Sequence, residues 1–111
     1  MIRLSIARDF SETPGPRSRE EGEFSGEEFL DTLLLLKFEQ ALSGNDKLFV
    51  DLDGTEGYAT SFLEAAFGGL CRKFDPGTVL RIIEFKSDDE PRLVTEVRNY
   101  IQDAKSQAAH R

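Results

Sequence analysis

The sequence predicts an α/β domain with a mainly parallel or mixed β-sheet and about three helices packed on it. Short apolar runs at 2–6, 47–52 and 79–85 have the length of strands, and each is followed, directly or after a loop, by a longer amphipathic segment with helical spacing. This alternation favours parallel pairing, because a helix that crosses over the sheet returns the chain to its starting end. A chain of 111 residues is expected to form one domain over its full length, 1–111.

The three predicted strands differ in how their side chains alternate. In the first, Ile2, Leu4 and Ile6 alternate with polar or small residues, which predicts one half-exposed face. The runs at 47–52 and 79–85 are apolar at almost every position. Such runs are typical of strands with helices on both faces, which predicts that these two strands are covered on both sides. For the sheet as a whole we expect helices on at least one face.

The three predicted helix starts share one signature, a serine followed three positions later by a glutamate. In this capping box the hydroxyl oxygen of Ser25, Ser61 or Ser87 would accept a hydrogen bond from a free backbone N–H. Gly68 and Gly69 interrupt the second helix at a cost of about 1 kcal/mol each, so the pair predicts close packing against another backbone. The predicted helices cover residues 25–42, 61–74 and 88–108.

A long connection at residues 8–24 joins the first strand to the first helix. Its length predicts either a functional loop or a loop that contains a short strand. Its basic residues are Arg8, Arg17 and Arg19. Arg17 has two interpretations: a solvated loop residue, or one that pairs with Asp51, Asp53 or a phosphate, since guanidinium binds such oxyanions through two parallel hydrogen bonds.

Composition and charge argue against several classes of function. The formal net charge of −7 disfavours a nucleic-acid partner, which requires a basic face. No apolar run approaches the roughly 18 residues of a membrane span, and the first residues lack the apolar region of a signal peptide, so the expected location is the cytoplasm. Cys71 falls on a predicted apolar stripe, which predicts a buried thiol, and His110 lies in a polar tail where no role is expected.

The residues after the second strand, Asp-Leu-Asp-Gly-Thr at 51–55, resemble the first motif of the haloacid-dehalogenase-like phosphatases. That resemblance implies magnesium-dependent phosphoryl transfer with Asp51 as the nucleophile and Asp53 as the general acid or base. Lys-Ser-Asp-Asp at 86–89 corresponds to the later lysine and acidic pair of that family, but here the first motif falls in mid-chain instead of near the start. The alternative is that neither acid reacts, with one capping the loop and the other solvated.

A second resemblance covers nearly the whole chain. The segment 50–70 runs from a strand through an Asp-Leu-x-Gly turn to a helix that begins with two hydroxyl residues, and it is similar to the STAS domains, which include anti-sigma-factor antagonists. The phrase Thr-Ser-Phe-Leu-x-x-Ala-Phe-Gly-Gly-Leu at 60–70 more closely resembles the STAS-like family of unknown function, whose members are small bacterial proteins. Pro-Gly-Pro-Arg at 14–17 and Gly-x-Phe-Ser-Gly-Glu-x-Phe at 22–29 also fit that family.

The STAS resemblance implies a regulatory switch at the start of the second helix. In the antagonists, a kinase with a histidine-kinase-like ATPase fold phosphorylates a serine at this position, and the modified protein releases its partner. The matching residue is Ser61, with Thr60 as the neighbouring candidate. Ala59 and Phe62 flank these hydroxyls, whereas the antagonists have aspartate and glycine there. The other interpretation is that Ser61 serves only as a helix cap.

We therefore expect a STAS-like regulatory module that binds another protein and has no enzymatic activity, cofactor or metal. The resemblance implies that its partner is a histidine-kinase-like ATPase or another signalling protein, and we expect it to bind neither nucleic acid nor membrane. The predicted docking residues are Arg17, Asp53, Gly54, Thr60, Ser61 and Phe62. For Phe62 the alternative is a place in the core, and it would suit an interface only if it is exposed.

Overall fold

Three short parallel strands form the sheet of the computed structural model, which describes the backbone of residues 1–109 and the side chains as far as residue 104. The strands are β1 (Ile2–Ser5), β2 (Leu48–Asp51) and β3 (Ile83–Lys86). Strand β2 lies in the middle, with β1 and β3 on either side of it. The predicted α/β class is confirmed. His110, for which no role was expected, lies outside the described residues.

Five helices lie within residues 1–109, and two of them contain a π-helical turn. The helices are α1 (Ile6–Asp9), α2 (26–43), α3 (60–73), α4 (Pro76–Ile82) and α5 (Arg92–Ala109). The π-helical turns are Leu30–Leu34 in α2 and Glu64–Gly68 in α3, and they pack against each other. The bounds of α2 and α3 agree with the predicted helices to within one residue, because long amphipathic segments carry the strongest local signal.

The predicted strand at 79–85 is wrong in its first half. Residues 79–82 belong to α4, and only the residues of β3 are extended. Asp75 caps α4 by accepting a hydrogen bond from the Thr78 N–H, and Pro76 occupies the first turn, where the N–H that proline lacks would be unpaired in any case. These start signals override the apolar run, which by itself does not distinguish a short strand from a buried helix.

Among the described residues, helices cover only one face of the sheet, so the predicted covering of β2 and β3 on both faces is wrong. Leu48 and Val50 are buried on the covered face, whereas Phe49 between them is only partly buried. Phe49 lies in register between Arg3 and Glu84 on the open face. The Arg3 guanidinium carbon is 5.5 Å from the centre of the Phe49 ring, so a cation on the neighbouring strand shields this aromatic side chain in place of a helix.

The core lies between the covered face of the sheet and the long helices. Cys71 belongs to this core, as predicted, and burial raises the pKa of its thiol to about 11. Four aromatic side chains are fully buried there: Phe29, Phe38, Phe62 and Phe67.

Helices α2 and α3 approach each other most closely at glycines. A Cβ on Gly26 would lie 2.5 Å from the carbonyl oxygen of Phe62. A Cβ on Gly69 would lie 2.6 Å from a methyl carbon of Leu30, whereas one on Gly68 would have no neighbour within 4 Å. Of the predicted glycine pair, only Gly69 is therefore closely packed, against a side chain. The close approach to backbone occurs instead at Gly26.

Helix α5 begins at Arg92, later than predicted, and Ser87 is not its cap. The Ser87 hydroxyl donates to the carbonyl oxygen of Glu90 at 2.7 Å and closes a turn before the helix. Pro91 accounts for the later start, because the residue before a proline is disfavoured in helical conformation and proline itself is tolerated at a helix start. No helix among residues 1–109 combines the length and apolar character needed to cross a membrane.

Candidate functional site

Two loops meet at the carboxyl edge of the sheet, where β2 and β3 end side by side. The side chain of Asp53, in the loop after β2, joins them. Its carboxylate accepts hydrogen bonds from the Lys86 ammonium at 2.6 Å and from the backbone N–H groups of Asp88 and Asp89 at 3.0 and 2.9 Å. We call this arrangement of Asp53, Lys86 and the two N–H groups the Asp53 clamp.

The clamp is an ion pair in the folded protein. Partial burial of the Asp53 carboxylate raises its pKa, but the hydrogen bonds from Lys86 and from the two N–H groups outweigh burial and lower the pKa to about 2. The hydrogen bonds of Lys86 to Asp53, and then to Asp88 at 3.0 Å, raise the pKa of the lysine above its ordinary value. Both groups are therefore charged at neutral pH, and their attraction holds the two loops together.

The loop after β2 is fixed at several further points. The Asp53 N–H donates to the carboxylate of Asp51 at 2.9 Å, and the Gly54 N–H donates to the carboxylate of Asp89 at 3.1 Å. Gly54 has φ +92, and a Cβ there would lie 3.1 Å from the Cβ of Ala7. Glycine suits this position because other residues rarely adopt that conformation.

Tyr58 closes the loop on its inner side. Its hydroxyl donates to the carbonyl oxygen of Leu52 at 2.8 Å. Burial, together with the negative charges of Asp51 and Asp53, raises the pKa of the Tyr58 hydroxyl to about 12, so it remains a hydrogen-bond donor at neutral pH. A backbone hydrogen bond of 2.8 Å from the N–H of residue 56 to the carbonyl of residue 12 also ties this loop to the N-terminal loop.

The first turn of α3 follows directly, and Ser61 does not cap it. The N-cap is Ala59, whose backbone is extended and whose side chain offers no cap. Its carbonyl accepts hydrogen bonds from the N–H groups of Phe62 and Leu63, so the helix begins one residue before the predicted start. The interpretation of Ser61 as a helix cap is therefore wrong. Ser61 lies inside the first turn and is partly exposed.

Phe62 is fully buried, so its predicted place on a docking surface is wrong. Its ring stacks on Phe29 of α2 with the ring centres 5.8 Å apart, and it also contacts the rings of Phe10 and Tyr58. Burial in this aromatic cluster makes Phe62 part of the packing between α2 and α3. The exposed residues at the helix start are Ala59 and Thr60.

Arg17 forms an ion pair with Glu64 on α3, at 3.4 Å, and the predicted pairing with Asp51 or Asp53 is wrong. The reason is the path of the N-terminal loop, residues 10–25, which contains no strand. The carbonyls of Pro16 and Arg17 accept hydrogen bonds from the first two N–H groups of α2, at 2.9 and 3.0 Å. This attachment directs the Arg17 side chain to Glu64.

Of the predicted docking residues, the structure groups Asp53 and Gly54 with Thr60 and Ser61 along one short segment. The sequence did not reveal the role of Lys86. From the sequence alone, Lys86 appeared only as the counterpart of the lysine in the phosphatase motif. Its position opposite Asp51 in the parallel register of β2 and β3 is the signal that places it beside Asp53. Among the described residues, no group of three or more His, Cys, Asp or Glu side chains is arranged to hold a metal ion.

Comparison with known families gives one match. The model of the family described as "STAS-like domain of unknown function (DUF4325)" covers residues 25–93, from the cap of α2 to the start of α5. No curated protein and no solved structure matches the chain significantly. Because the family model spans more than half of the sequence, including β2, α3 and β3, the chain belongs to this STAS-like family.

Proposed function

We propose that the chain is a cytoplasmic regulatory module that binds another protein through one surface. This docking surface consists of residues 53–61 together with the N-terminal loop, 10–25. Membership in a STAS-like family supports an interaction role of this kind. The carboxyl edge of a parallel sheet is also where α/β domains usually bind ligands and partners.

The observation that carries the proposal is the combination of rigidity and exposure beside the Asp53 clamp. Five of the seven residues at 54–60 are exposed, yet the segment is held by the clamp at one end and by the Tyr58 hydroxyl near the other. A surface loop that is already ordered loses little conformational freedom when a partner binds, so less of the interaction energy is offset.

We further propose that the two acids organise the loop and do not react. Both carboxylate oxygens of Asp53 accept hydrogen bonds, and the carboxylate of Asp51 accepts one from the backbone N–H of Asp53. Incubation with Mg²⁺ and p-nitrophenyl phosphate should therefore release no phosphate above the buffer rate. Release that is abolished by Asp51→Asn would establish the phosphatase alternative instead.

The proposed switch is phosphorylation of Ser61, with Thr60 as the neighbouring candidate. Ser61 is partly exposed and its side chain does not cap α3, so phosphorylation would not remove a capping hydrogen bond from the helix. Added negative charge is favourable near a helix N-terminus, so α3 would remain folded. About two new charges would repel an acidic or apolar partner surface. The STAS resemblance supports a histidine-kinase-like ATPase, or another signalling protein, as the partner.

A pull-down with matched variants tests the switch. The tagged chain should recover a stoichiometric partner from its native lysate, and Ser61→Glu should reduce recovery by about tenfold or more, because the added charge lies within the docking surface. Thr95→Glu is the control, since it adds the same charge at an exposed position in the first turns of α5. Equal recovery with all three proteins would eliminate the switch.

A further inference from the structure

A groove of about 530 Å³ lies between α2 and α3, next to the N-terminal loop. It has more than twice the volume of the cavity of about 230 Å³ between α3 and α5. Its apolar lining comes from Leu30, Ala65 and Gly69, at the place where the two helices approach closely. The polar residues that line it are Arg17, Ser18, Glu27, Asp31, Arg72 and Lys73.

The acidic residues of this groove already have partners. Arg19 donates its backbone N–H to the carboxylate of Glu27 at 3.0 Å, and its guanidinium pairs with Asp31 at 2.8 Å. One residue of the N-terminal loop therefore engages both carboxylates. The Arg19 guanidinium compensates the charge of Asp31. Of the two acids that line the groove, only Glu27 therefore remains to balance the three cations that line it.

The cations of the groove are less well compensated. Arg72 and Lys73 are exposed, and neither forms an ion pair with a residue that the structure describes. Among the residues with described side chains, Arg17 pairs only with Glu64, at 3.4 Å, and both side chains are more than 40% exposed (47% and 43%). Exposed pairs of this kind are weak. The groove thus carries surplus positive charge on a chain whose net charge is −7.

From these observations we infer that the groove between α2 and α3 binds an acidic peptide segment of a partner protein. An apolar side chain of the segment would lie against Leu30 and Ala65, and its carboxylates would pair with Arg72 and Lys73. This inference rests on the proposed role as an interaction module but not on the Ser61 switch. It adds a groove that shares Arg17 and Ser18 with the docking surface, and the chemistry of what binds in that groove.

Charge complementarity selects this occupant. A nucleic acid would extend beyond the groove onto a surface that is negative overall, whereas a short acidic segment contacts only the cations at its rim. The guanidinium of Arg72 can accept a carboxylate through two parallel hydrogen bonds, which gives the contact a preferred geometry. Ala65 has a short and partly exposed side chain, so of the apolar lining residues it is the one most open to contact with a peptide side chain.

The probe is a fluorescein-labelled 12-residue peptide in which Asp and Glu surround two leucines. A second peptide has Asn and Gln at the acidic positions. Fluorescence polarisation at 50 mM salt should show saturable binding of the acidic peptide only, and 300 mM salt should weaken it by about tenfold, since the contacts are exposed ion pairs. Amide chemical-shift changes should concentrate at Leu30, Ala65 and Gly69.

Charge reversal at the groove provides the decisive comparison. Arg72→Glu with Lys73→Glu should weaken peptide binding by at least about tenfold. Arg81→Glu with Arg98→Glu makes the same change in net charge at exposed positions outside the groove, and should change the affinity less than about threefold. If the variant with Arg72→Glu and Lys73→Glu does not fold, Arg72→Gln with Lys73→Gln removes the same two cations without adding acids.

Three results would overturn the inference: no saturable binding to the unmodified chain, equal weakening by the two charge-reversal variants, or shift changes outside the groove. Ser61→Ala should leave the peptide affinity within about twofold, because Ser61 does not line the groove and this variant adds no charge near it. Failure of the peptide experiment is therefore distinguishable from failure of the Ser61 switch.

Discussion

Helices α2 and α3 begin with the same Ser-x-x-Glu pattern, but the two serines have different roles. Ser25 is fully buried, and its hydroxyl oxygen accepts a hydrogen bond from the Glu28 N–H at 3.0 Å. Ser61 is partly exposed inside the first turn of α3, where the N-cap is Ala59. One serine thus supports the fold, and the other is available at the surface.

The segments that precede the two helices account for this difference. Before α2, the N-terminal loop returns and supplies the carbonyls of Pro16 and Arg17 to the first N–H groups of the helix, and Ser25 and Gly26 are buried there. Before α3, the loop runs from the Asp53 clamp to Ala59, whose backbone is extended. The Ala59 carbonyl accepts the first hydrogen bonds of the helix, so α3 begins one residue before its predicted start. In α2 and α3 the capping pattern therefore indicates where the helix begins to within a residue, but not whether its serine forms the cap.

The largest change in the free energy of unfolding should come from Gly26, at the start of α2. Gly26→Ala should lower the free energy of unfolding by about 2–3 kcal/mol, because the new methyl group would collide with the carbonyl oxygen of Phe62. Gly68→Ala, also in a helix but with open space around the Cβ position, should raise it by about 0.5–1 kcal/mol. Urea denaturation measures both changes. Similar losses in the two variants would contradict the packing described for α2 and α3.

The next effect concerns the clamp that positions the start of α3. Asp53→Asn should lower the free energy of unfolding at pH 7 by about 1–3 kcal/mol, because it removes a charged acceptor from three donors. The pKa of Asp53 is lowered from 3.8 to about 2, so its stabilising contribution is complete above about pH 4 and is lost as the pH falls toward 2.

Urea denaturation between pH 7 and pH 2 measures this dependence. The difference in stability between the unmodified chain and Asp53→Asn should shrink across the acid range, because protonation of Asp53 removes the charge that the variant already lacks. A difference that stays constant down to pH 2 would show that Asp53 is not held by the ion pair.

The comparison of the two serines is tested directly by removing each hydroxyl. Ser25→Ala should lower the free energy of unfolding by about 1 kcal/mol, the usual cost of a lost N-cap. Ser61→Ala should change it by less than about 0.5 kcal/mol, because no cap is lost. Thermal unfolding of the two variants in the same buffer gives both values, and equal losses would mean that Ser61 also acts as a cap.

The smallest effect should come from the contact between the N-terminal loop and α3. Arg17→Gln should lower the free energy of unfolding by less than about 1 kcal/mol, because the ion pair with Glu64 is long and exposed. A double-mutant cycle with Glu64→Gln isolates the pair, and its coupling should decrease with added salt. A coupling that is large and insensitive to salt would contradict the exposed geometry.

Much of the fold could be predicted because its signals are local. The order of the three strands and the three long helices follows from apolar spacing, and the bounds of α2 and α3 were correct to within one residue, but the short helices α1 and α4 were not predicted. The errors occurred where two local signals compete. At residues 79–82 an apolar run suggested a strand, while Asp75 and Pro76 began a helix, and before α5 the proline at 91 delayed the start that Ser87 suggested.

The contacts within the candidate site could not be predicted from the sequence. Asp53, Gly54, Thr60 and Ser61 do lie together beyond the end of β2, since they follow one another in the chain. The pairing of Asp53 with Lys86 required β2 and β3 to be neighbours in a particular register. The burial of Phe62 required α2 to lie across α3, which places its ring on that of Phe29.

Local patterns alone were sufficient for the α/β class, the order of the three strands and the three long helices, and the STAS-like resemblance, because apolar spacing, caps and turn residues act over a few positions of the chain. The roles of individual side chains depended on the assembled fold. Which serine caps a helix, which acid is held in an ion pair and which arginine reaches α3 are all set by groups from distant segments, and only packing brings those groups within hydrogen-bonding distance.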